Sequence, residues 1–504
     1  MKRCLFLAAA LAVAPYICSQ SRAAYRSAII PQTNALQHGL KRSWFTQIQL
    51  DPAHGRVSHV VLRHGALYVQ TNRALLHAID AETGESLWAQ QAGSPNHPSA
   101  VPGVSRDLVG TVNGSWLYIL NRHNGKLLWK SQVDGAPGGG AALSEKRAFV
   151  PMVDGLVVAY RLEPILNPLA ELGKTPKETT PEEKEAMEAE RRESLQIRGD
   201  WVAPLACQSF GRAMIQPVVM RQDENEEFVA WPTDRGFLFV GRINRREEDK
   251  FTVRYRLETG ARIVAQPTYL PPDPKVPDAA GVIFATSEDG FVYAIRDTDG
   301  QSLWRFSTGE PILQRAVVIG QRVFVAVQSG GMYCLAADTG AQQWWAPQVS
   351  QLIAVSKERL YVADKINRIL VLDVNSGARL DTLLASSLPI RLTNTQTDRL
   401  YLATETGLIQ CLHEVELTEP IHHDLRKGEA EKQPVVEQKG MEELKDKEEK
   451  KEEEPPADDP FAEKKPDDKP DEAQKDPFGG GQDDQKPADD NPFDQDNKDA
   501  NPFD

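Results

Sequence analysis

Histidine and cysteine are the side chains that most often hold zinc or act as nucleophiles, and this sequence carries ten histidines and five cysteines. None of them forms a zinc-binding pattern such as His-Glu-x-x-His or Cys-x-x-Cys. The adjacent pair His422 and His423 lies where the apolar sequence gives way to a charged one, which favours a solvated hinge. Cys334 and Cys411 lie in apolar runs, so we predict small buried side chains at both positions.

Two further patterns that could do chemistry are incomplete or missing. The glycine run 138–140 resembles part of a phosphate-binding loop, but the Lys-Ser/Thr pair that completes such a loop is absent, so the run indicates a connection between strands. No Gly-x-Ser-x-Gly nucleophile elbow occurs in the sequence. The chain therefore shows no local catalytic constellation, and the next question is which elements make up its body.

Charge divides the chain into two parts. Residues 417–504 contain 29 acidic and 14 basic residues, whereas the 416 residues before them contain 43 acidic and 44 basic ones. Nucleic-acid-binding proteins need an excess of Lys and Arg on one face, which this balance does not favour. We expect a near-neutral folded body followed by an acidic tail, and no nucleic-acid partner.

The N-terminus has the order of a secretory signal peptide. Two basic residues precede an apolar run over 5–14, and small residues at Ser21 and Ala23 suit a cleavage site after Ala23. The run is too short to span a membrane, and no other stretch approaches that length of apolar residues. The sequence predicts a signal peptide over 1–23 and an exported protein without a transmembrane segment. Lipidation at Cys18 is an alternative, for which the preceding residues are a poor match.

An internal repeat dominates the body of the chain. Residues 75–88 match residues 117–129 with a shift of 41, and the same cadence returns at 291–304 and, with more changes, at 332–344 and 370–377. Each unit has a short apolar run, a polar turn similar to Asp-x-x-Thr-Gly, and a second run anchored by an aromatic residue. Glycine supplies the positive φ that such a turn needs, so each unit predicts a β-hairpin.

Two sets of residues mark the repeat. A turn-forming residue precedes each apolar run, and five of the seven intervals between these residues are 36 to 41 long. The predicted turn residues are Arg73, Gly114, Gly155, Gly236, Gly290, Gly331, Asn367 and Gly407. The predicted structural anchors are Trp44, Trp88, Trp129, Trp201, Tyr255, Trp304 and Trp344, with a weakened eighth position near Leu380.

Eight anchored units predict an all-β fold, an eight-bladed β-propeller of four-stranded blades over 24–416. Trp44 precedes the first full repeat, whereas the last repeat ends near Glu416 without an anchored strand of its own. We therefore expect the N-terminal strand around Trp44 to complete the last blade, which closes the ring and removes an open sheet edge. An open solenoid or a pair of β-sandwiches is the alternative, but neither requires a glycine turn and an aromatic anchor in every unit.

Residues 78–88, Ala-Ile-Asp-Ala-Glu-Thr-Gly-Glu-Ser-Leu-Trp, resemble the Ala-x-Asp-x-x-Thr-Gly-x-x-x-Trp element of pyrroloquinoline-quinone (PQQ) type propeller repeats. The units that end at Trp304 and Trp344 keep the glycine and the tryptophan, and the similarity runs, with gaps, over 41–416. In this family the anchor tryptophan packs over the turn of a neighbouring blade. The resemblance therefore implies the fold and says little about activity.

The family has two branches with different chemistry. Its quinoprotein dehydrogenases hold PQQ over the central channel, commonly with calcium and often beside a disulfide of adjacent cysteines, whereas its BamB-like proteins are non-catalytic scaffolds in outer-membrane assembly. This chain has no adjacent cysteines and no local cluster of Glu, Asn and Asp side chains suited to calcium. It resembles the BamB-like branch, which implies no enzymatic activity and no cofactor. A PQQ-dependent dehydrogenase with calcium is the alternative.

Two segments depart from the repeat. Residues 163–199 are highly charged, and the order Thr-Pro-Glu-Glu at 180–183 is typical of a helix start, which predicts a charged helical insertion. Residues 417–504 bury too few apolar side chains to fold, which predicts a disordered, acidic, Pro-rich tail. Its aromatic residues all lie in four Asx-Pro-Phe boxes. The candidate partner-binding residues of these boxes are Phe461, Phe478, Phe493 and Phe503.

These features predict an exported, non-enzymatic scaffold, periplasmic or associated with the outer envelope. The loops between blades would offer one surface to protein partners of the cell envelope, and the tail would offer a second. The family resemblance implies that the partners include the outer-membrane assembly machinery.

Overall fold

The structure is a computed structural model that describes residues 29–423, with gaps at 52, 163–164, 166–180, 182–202, 223–225, 245–249, 274, 277–278 and 386. The predicted signal peptide, the four phenylalanines of the tail and Trp201 lie outside the described residues. So does the predicted helical insertion, apart from Ile165 and Pro181. Within the described ranges, no helix is long and apolar enough to cross a membrane.

Eight antiparallel sheets of four strands form the blades of an eight-bladed β-propeller, which confirms the predicted fold class. One short helix, α1 (Gln32–Gln37), precedes the first strand. The first sixteen strands are β1 (Leu40–Gln47), β2 (Val57–Arg63), β3 (Ala66–Thr71), β4 (Leu75–Asp80), β5 (Ser86–Gln91), β6 (Gly103–Val104), β7 (Leu108–Asn113), β8 (Trp116–Asn121), β9 (Leu127–Gln132), β10 (Ala142–Leu143), β11 (Arg147–Pro151), β12 (Leu156–Arg161), β13 (Leu205–Gln208), β14 (Val218–Gln222), β15 (Glu226–Pro232) and β16 (Phe237–Asn244). The remaining strands are β17 (Lys250–Glu258), β18 (Thr268–Leu270), β19 (Val282–Thr286), β20 (Phe291–Arg296), β21 (Ser302–Ser307), β22 (Val317–Ile319), β23 (Arg322–Val327), β24 (Gly331–Ala336), β25 (Gln342–Pro347), β26 (Gln351–Val355), β27 (Arg359–Ala363), β28 (Arg368–Asp373), β29 (Arg379–Leu384), β30 (Ile390–Arg391), β31 (Leu400–Ala403) and β32 (Leu408–Glu414).

The blades follow the chain in order. Blade 1 contains β2 to β5, blades 2 to 7 take the next strands in groups of four, and blade 8 combines β30, β31 and β32 with β1. The second strands β3, β7 and β11 are buried along their whole length, because neighbouring blades cover both of their faces. In the outer strand β5, by contrast, only Trp88 is buried. The core therefore lies between blades, and the outer strands form the rim.

The N-terminal strand closes the ring, as the sequence predicts. β1 pairs antiparallel with β32, with Trp44 opposite Cys411 and Gln47 opposite Leu408. The Tyr401 hydroxyl, on the neighbouring strand of the same blade, donates a hydrogen bond of 3.2 Å to the carbonyl oxygen of Ala81 in blade 1. Blade 8, which combines the first and the last strands of the propeller, is thus joined to blade 1 by a hydrogen bond.

The alternating strand directions give the ring two distinct faces. The turns after the first strand of every blade, and after the third strand of blades 1 to 7, lie on one face, which we call the turn face. The middle turn of each blade and the connection to the next blade lie on the other, which we call the connection face. Six of the eight predicted turn residues have the expected positive φ in the middle turn. In blades 1 and 6 the positive φ occurs one position away from the predicted Arg73 and Gly331, at Ala74 (59°) and Gly330 (97°).

Residues 417–423, which the sequence analysis assigned to the tail, pack against blade 8, and we call them the strap. Arg399 is only 2% exposed, and its guanidinium donates hydrogen bonds to the carbonyl oxygens of Leu417 (2.9 Å) and Thr418 (2.5 Å). The backbone N–H of Ile421 donates to Asp398 Oδ1 at 2.9 Å. These bonds involve backbone atoms, which explains why the composition of the strap does not reveal them.

We expect the strap to contribute to stability and the residues after it to contribute little. A chain that ends at 416 leaves the buried Arg399 guanidinium without two of its acceptors, which costs about 1–3 kcal/mol. A chain that ends at 423 keeps both acceptors and should unfold at the denaturant concentration of the full chain. Urea unfolding of the two truncated chains tests this, and equal midpoints would show that the strap is not part of the folded body.

Candidate functional site

Most of the predicted anchors join one blade to the next. Trp44 is representative: its Nε1 donates a hydrogen bond of 3.0 Å to the carbonyl oxygen of Ala81 in blade 1, and its ring lies against Gly84. A Cβ atom at Gly84 would lie 2.4 Å from that ring, so this turn needs glycine for the close approach as well as for its φ of 75°. The other anchor-to-carbonyl pairs are Trp88 with Arg122, Tyr255 with Asp297, Trp304 with Ala337, and Trp344 with Val374.

The anchors at blades 2 and 3 differ from the others. Trp129 is buried and packs on Tyr160 of blade 3, with ring centroids 5.9 Å apart, but its Nε1 has no hydrogen-bond partner in the described part of the chain. The turn that would receive it is the place where the 163–199 insertion begins. In blade 3 the residue opposite Ala159, which is the anchor position in the other blades, is Leu205. Trp201, which the sequence predicts for this role, lies outside the described residues.

A hydrogen bond between Asp381 and His38 takes the place of the anchor in blade 7. Asp381 lies opposite Val371, in the register that Trp88 has opposite Ala78 in blade 1. Its Oδ2 lies 2.6 Å from Nδ1 of His38, just before β1. The hydrogen bond from His38 lowers the pKa of the Asp381 carboxyl. Blade 8 has no continuous turn here, because its outer strand comes from the other end of the chain. A hydrogen bond between two side chains therefore replaces the packing of a ring on a turn.

Blades 3 and 4 share a buried ion pair that the sequence analysis missed. Nε of Arg147, the first residue of β11, donates a hydrogen bond of 2.8 Å to Oε2 of Glu227 in β15. The Ser144 hydroxyl donates to Oε1 of the same carboxylate at 2.7 Å. Both charged residues are at most 3% exposed. No local pattern marks such a pair, because its members are 80 residues apart.

Glutamine side chains also link successive blades, close to the start of their first strands. Each donates from its Nε2 atom to a carbonyl oxygen of the neighbouring blade. The donor and acceptor pairs are Gln216 with Ala141 (2.7 Å), Gln266 with Pro217 (3.2 Å), Gln314 with Ser350 (2.8 Å) and Gln351 with Arg391 (2.9 Å). These bonds brace the connection face. The signal in the sequence is the recurrence of glutamine just before the first strand of a blade.

In the described part of the chain, the cysteines and the possible metal ligands are not arranged for nucleophilic or metal chemistry. Cys207, Cys334 and Cys411 are free and buried, and burial raises the pKa of their thiols to about 11, 12 and 12 respectively. A thiol is a good nucleophile only as the thiolate, so these cysteines are chemically inert at neutral pH. Among the described residues, no three His, Cys, Asp or Glu side chains lie together as a metal-binding group.

The connection face carries a repeated row of exposed apolar side chains. In each of three successive connections, from blade 3 to blade 6, one residue is buried beneath the loop and the next one points outward. The buried and exposed members are Ala213 and Met214, Ile263 and Val264, and Ile312 and Leu313. Phe210 and Ile366, on the same face, are 62% and 66% exposed. We call the three outward members together with Phe210 and Ile366 the apolar row.

Two ion pairs lie beside the apolar row. Arg212, in the connection that contains Met214, donates from Nε to Asp234 of blade 4 at 2.7 Å. Arg262 makes the equivalent contact one blade further, to Glu288 at 2.8 Å. Each arginine side chain is 62% exposed, so these charges remain accessible to water. The face therefore combines apolar side chains with polar groups around them, on connections that the glutamine bonds hold in place.

Comparison with known proteins identifies relatives of the chain. A family model described as outer membrane protein assembly factor BamB matches residues 37–163 and 288–411. The outer membrane protein assembly factor BamB of Yersinia pestis is 24% identical over 295 residues, which are 55% of this chain and 63% of that protein. The match therefore spans less than two thirds of that relative.

Two solved structures share the architecture. BamB from Moraxella catarrhalis superimposes with a TM-score of 0.50 at 12% identity, covering 73% of this chain and 100% of that one. Sqt1 from Saccharomyces cerevisiae superimposes with a TM-score of 0.51 at 9% identity, covering 72% of this chain and 98% of that one. At these identities the likeness concerns the fold alone.

Proposed function

Because the chain belongs to the BamB-like family of PQQ-repeat β-propellers, we propose that it is a non-enzymatic scaffold that binds proteins in the cell envelope. The observation that carries the proposal is the apolar row. Single exposed apolar residues are common on soluble proteins, but a repeated set on one face is typical of a protein-binding surface. The row lies on braced connections, so a partner would need to order few side chains when it binds.

The chemistry of the row fits a partner surface with an apolar centre. Met214, Val264 and Leu313 would be covered by apolar side chains of the partner, which removes their surface from water. Arg212 and Arg262 would lie at the polar rim, where charges orient the partner and contribute little to affinity.

The tail supplies a second binding element in this proposal. Each Asx-Pro-Phe box presents a single aromatic side chain beside a rigid proline, which is a weak ligand by itself. Four copies in one chain raise the effective concentration of the ligand and therefore the avidity. The phenylalanines that would be recognised are Phe461, Phe478, Phe493 and Phe503.

We propose the periplasm or the outer envelope as the place of action, because the first 23 residues predict a signal peptide. The relative from Yersinia pestis is named for outer-membrane protein assembly. We therefore propose that the partners of this chain include components of that machinery.

Negative charges placed in the apolar row should weaken partner binding strongly. We expect the triple variant Met214→Asp, Val264→Asp, Leu313→Asp to lose at least about ten-fold in partner retention from a cell-envelope extract, because each carboxylate must be desolvated at the interface. The matched control places the same three charges at exposed leucines of the outer strands, Leu87, Leu303 and Leu380. Equal retention by both variants, or no retention by the parent chain, would contradict the proposed surface.

The proposed role uses no cofactor, which separates it from the dehydrogenase alternative. The purified chain should show no shifted quinone absorbance when PQQ and calcium are added, and no dye reduction with alcohols or sugars. Dye reduction would contradict the scaffold role even if the variants in the apolar row lose their partner.

A further inference from the structure

A cavity of about 320 Å³ opens on the turn face between blades 6 and 7. Its floor is apolar and consists of Phe324 in β23, Val355 at the end of β26 and Val374 after β28, all of which are buried. Ile319 lies on one side, and Ile421 of the strap forms part of the opposite wall. This volume is at the small end of the range for ligand pockets and suits one apolar side chain with a few polar atoms.

Two cationic side chains, Arg322 and Lys357, line the same cavity. The Arg322 guanidinium donates a hydrogen bond of 2.7 Å to Asn375 Oδ1. Hydrogen bonds from Ser376 lower the pKa of the Asp373 carboxyl, and the positive charge of Arg322 adds to this effect. Glu414, a carboxylate beside this region, already accepts hydrogen bonds from Ser356 and Tyr361. The rim therefore offers two positive charges above an apolar floor, and Asp373 balances only that of Arg322 in part.

A third polar group of the cavity belongs to the strap. His423 lines the wall, and its Nε2 atom is buried without a hydrogen-bond partner among the described residues. Burial lowers the pKa of this imidazole, so it is neutral at pH 7 and has one nitrogen that accepts a hydrogen bond and one that donates. The backbone of Val355 and that of Thr397 also act on this ring, so the imidazole gives the cavity a neutral polar wall beside which the amide group of a ligand can lie.

We propose that this cavity binds an N-acylated apolar amino acid residue. The apolar side chain occupies the floor formed by Phe324, Val355 and Val374. The carboxylate lies between Arg322 and Lys357, and the amide group lies beside His423. This chemistry has two sources, a free N-acyl amino acid or an apolar residue next to an acidic one within a peptide. The cavity opens on the turn face, so the inference does not rest on the function proposed for the apolar row.

Calorimetric titration of the full chain with N-acetyl-L-phenylalanine tests the site. We expect saturable binding, and at least about ten-fold weaker binding of N-acetyl-L-phenylalanine amide, which lacks the carboxylate and is otherwise matched. The peptide acetyl-Asp-Pro-Phe-amide distinguishes the two sources, because its carboxylate precedes the ring: tighter binding than the free amino acid derivative assigns the site to peptides. No saturable binding of either carboxylate probe, or equal affinity for the amide, would overturn the proposal.

Two variants locate the binding within the cavity. Lys357→Gln should weaken the binding of N-acetyl-L-phenylalanine by about ten-fold while leaving the weak affinity for the amide unchanged, because it removes one of the two cations beside the carboxylate. Lys365→Gln, which removes an exposed charge from the connection face, is the matched control and should bind as the parent does. Both residues are exposed, so neither change should alter the melting temperature. An equal loss for acid and amide probes, or an equal effect of the two variants, would place the binding elsewhere.

Discussion

The variant Arg147→Met is expected to lower the free energy of unfolding by about 3–5 kcal/mol, because it leaves the Glu227 carboxylate buried between blades 3 and 4 without its cation. Ser144 remains as a hydrogen-bond donor to one oxygen, but a neutral hydroxyl does not compensate a buried negative charge. Urea unfolding gives the change as a shift of the midpoint at constant m.

Two further variants make this prediction specific to the ion pair. Arg212→Met removes an arginine from a pair of nearly the same length, 2.7 Å against 2.8 Å, but the Arg212 side chain is 62% exposed, so its loss should cost less than about 1 kcal/mol. The double variant Arg147→Met, Glu227→Leu removes both buried charges and should be more stable than Arg147→Met alone. A double variant at least as unstable as Arg147→Met alone would show that packing, and not the charge, is what the site requires.

The same pair shows where reasoning from the sequence ends. The hairpin of a blade could be predicted because its signals are local: a glycine for the turn and a tryptophan a few residues later, as in residues 78–88. The closure of the ring by Trp44 could be predicted by counting the anchored strands, since the last repeat lacks one of its own. Arg147 and Glu227, in contrast, are joined only by the curvature of the ring, which brings together strands whose sequences carry no mark of each other.

The apolar row could be predicted from the sequence only in part. Its residues recur in a local frame, with Gly-Arg-Ala-Met-Ile-Gln-Pro at 211–217 and Gly-Ala-Arg-Ile-Val-Ala-Gln-Pro at 260–267, but the sequence does not say which apolar residue of each frame faces water. In the structure Ala213 and Ile263 are buried under the loop. The residue that follows each of them, Met214 or Val264, is exposed to water. The cavity between blades 6 and 7 was not predictable, since one of its walls is the strap, which is held by hydrogen bonds to its backbone that the sequence does not reveal.

The order of the chain also explains why two junctions between blades lack the hydrogen bond of an anchor tryptophan. Blade 7 faces the junction where β1 and β32 come from opposite ends of the chain, so no turn exists for a ring to cover, and Asp381 pairs with His38 instead. At Trp129 the turn is interrupted by the insertion, and the indole N–H is left without an acceptor in the described residues. An anchor is therefore expected to contribute a hydrogen bond only where an uninterrupted turn follows it.

The variant Trp344→Ala is expected to cost about 3–5 kcal/mol, because it removes a large buried ring from the junction of blades 6 and 7 and leaves a cavity against Gly377 and Phe324. Trp344→Phe keeps most of the ring but loses the hydrogen bond of 3.0 Å to the carbonyl oxygen of Val374, which should cost about 1 kcal/mol beyond the lost volume. Urea unfolding of the full chain measures both.

Trp129 provides the matched control for the hydrogen bond. Trp129→Ala should cost as much as Trp344→Ala, since Trp129 is also buried and packs on an aromatic ring of the next blade. Trp129→Phe, however, removes an indole N–H that has no acceptor in the described residues, so the loss of stability should be smaller than that of Trp344→Phe by about 1 kcal/mol or more. If the two Phe variants lose the same stability, the anchors act through packing alone, and the contacts of the indole N–H with the following turn contribute nothing to the closure of the ring.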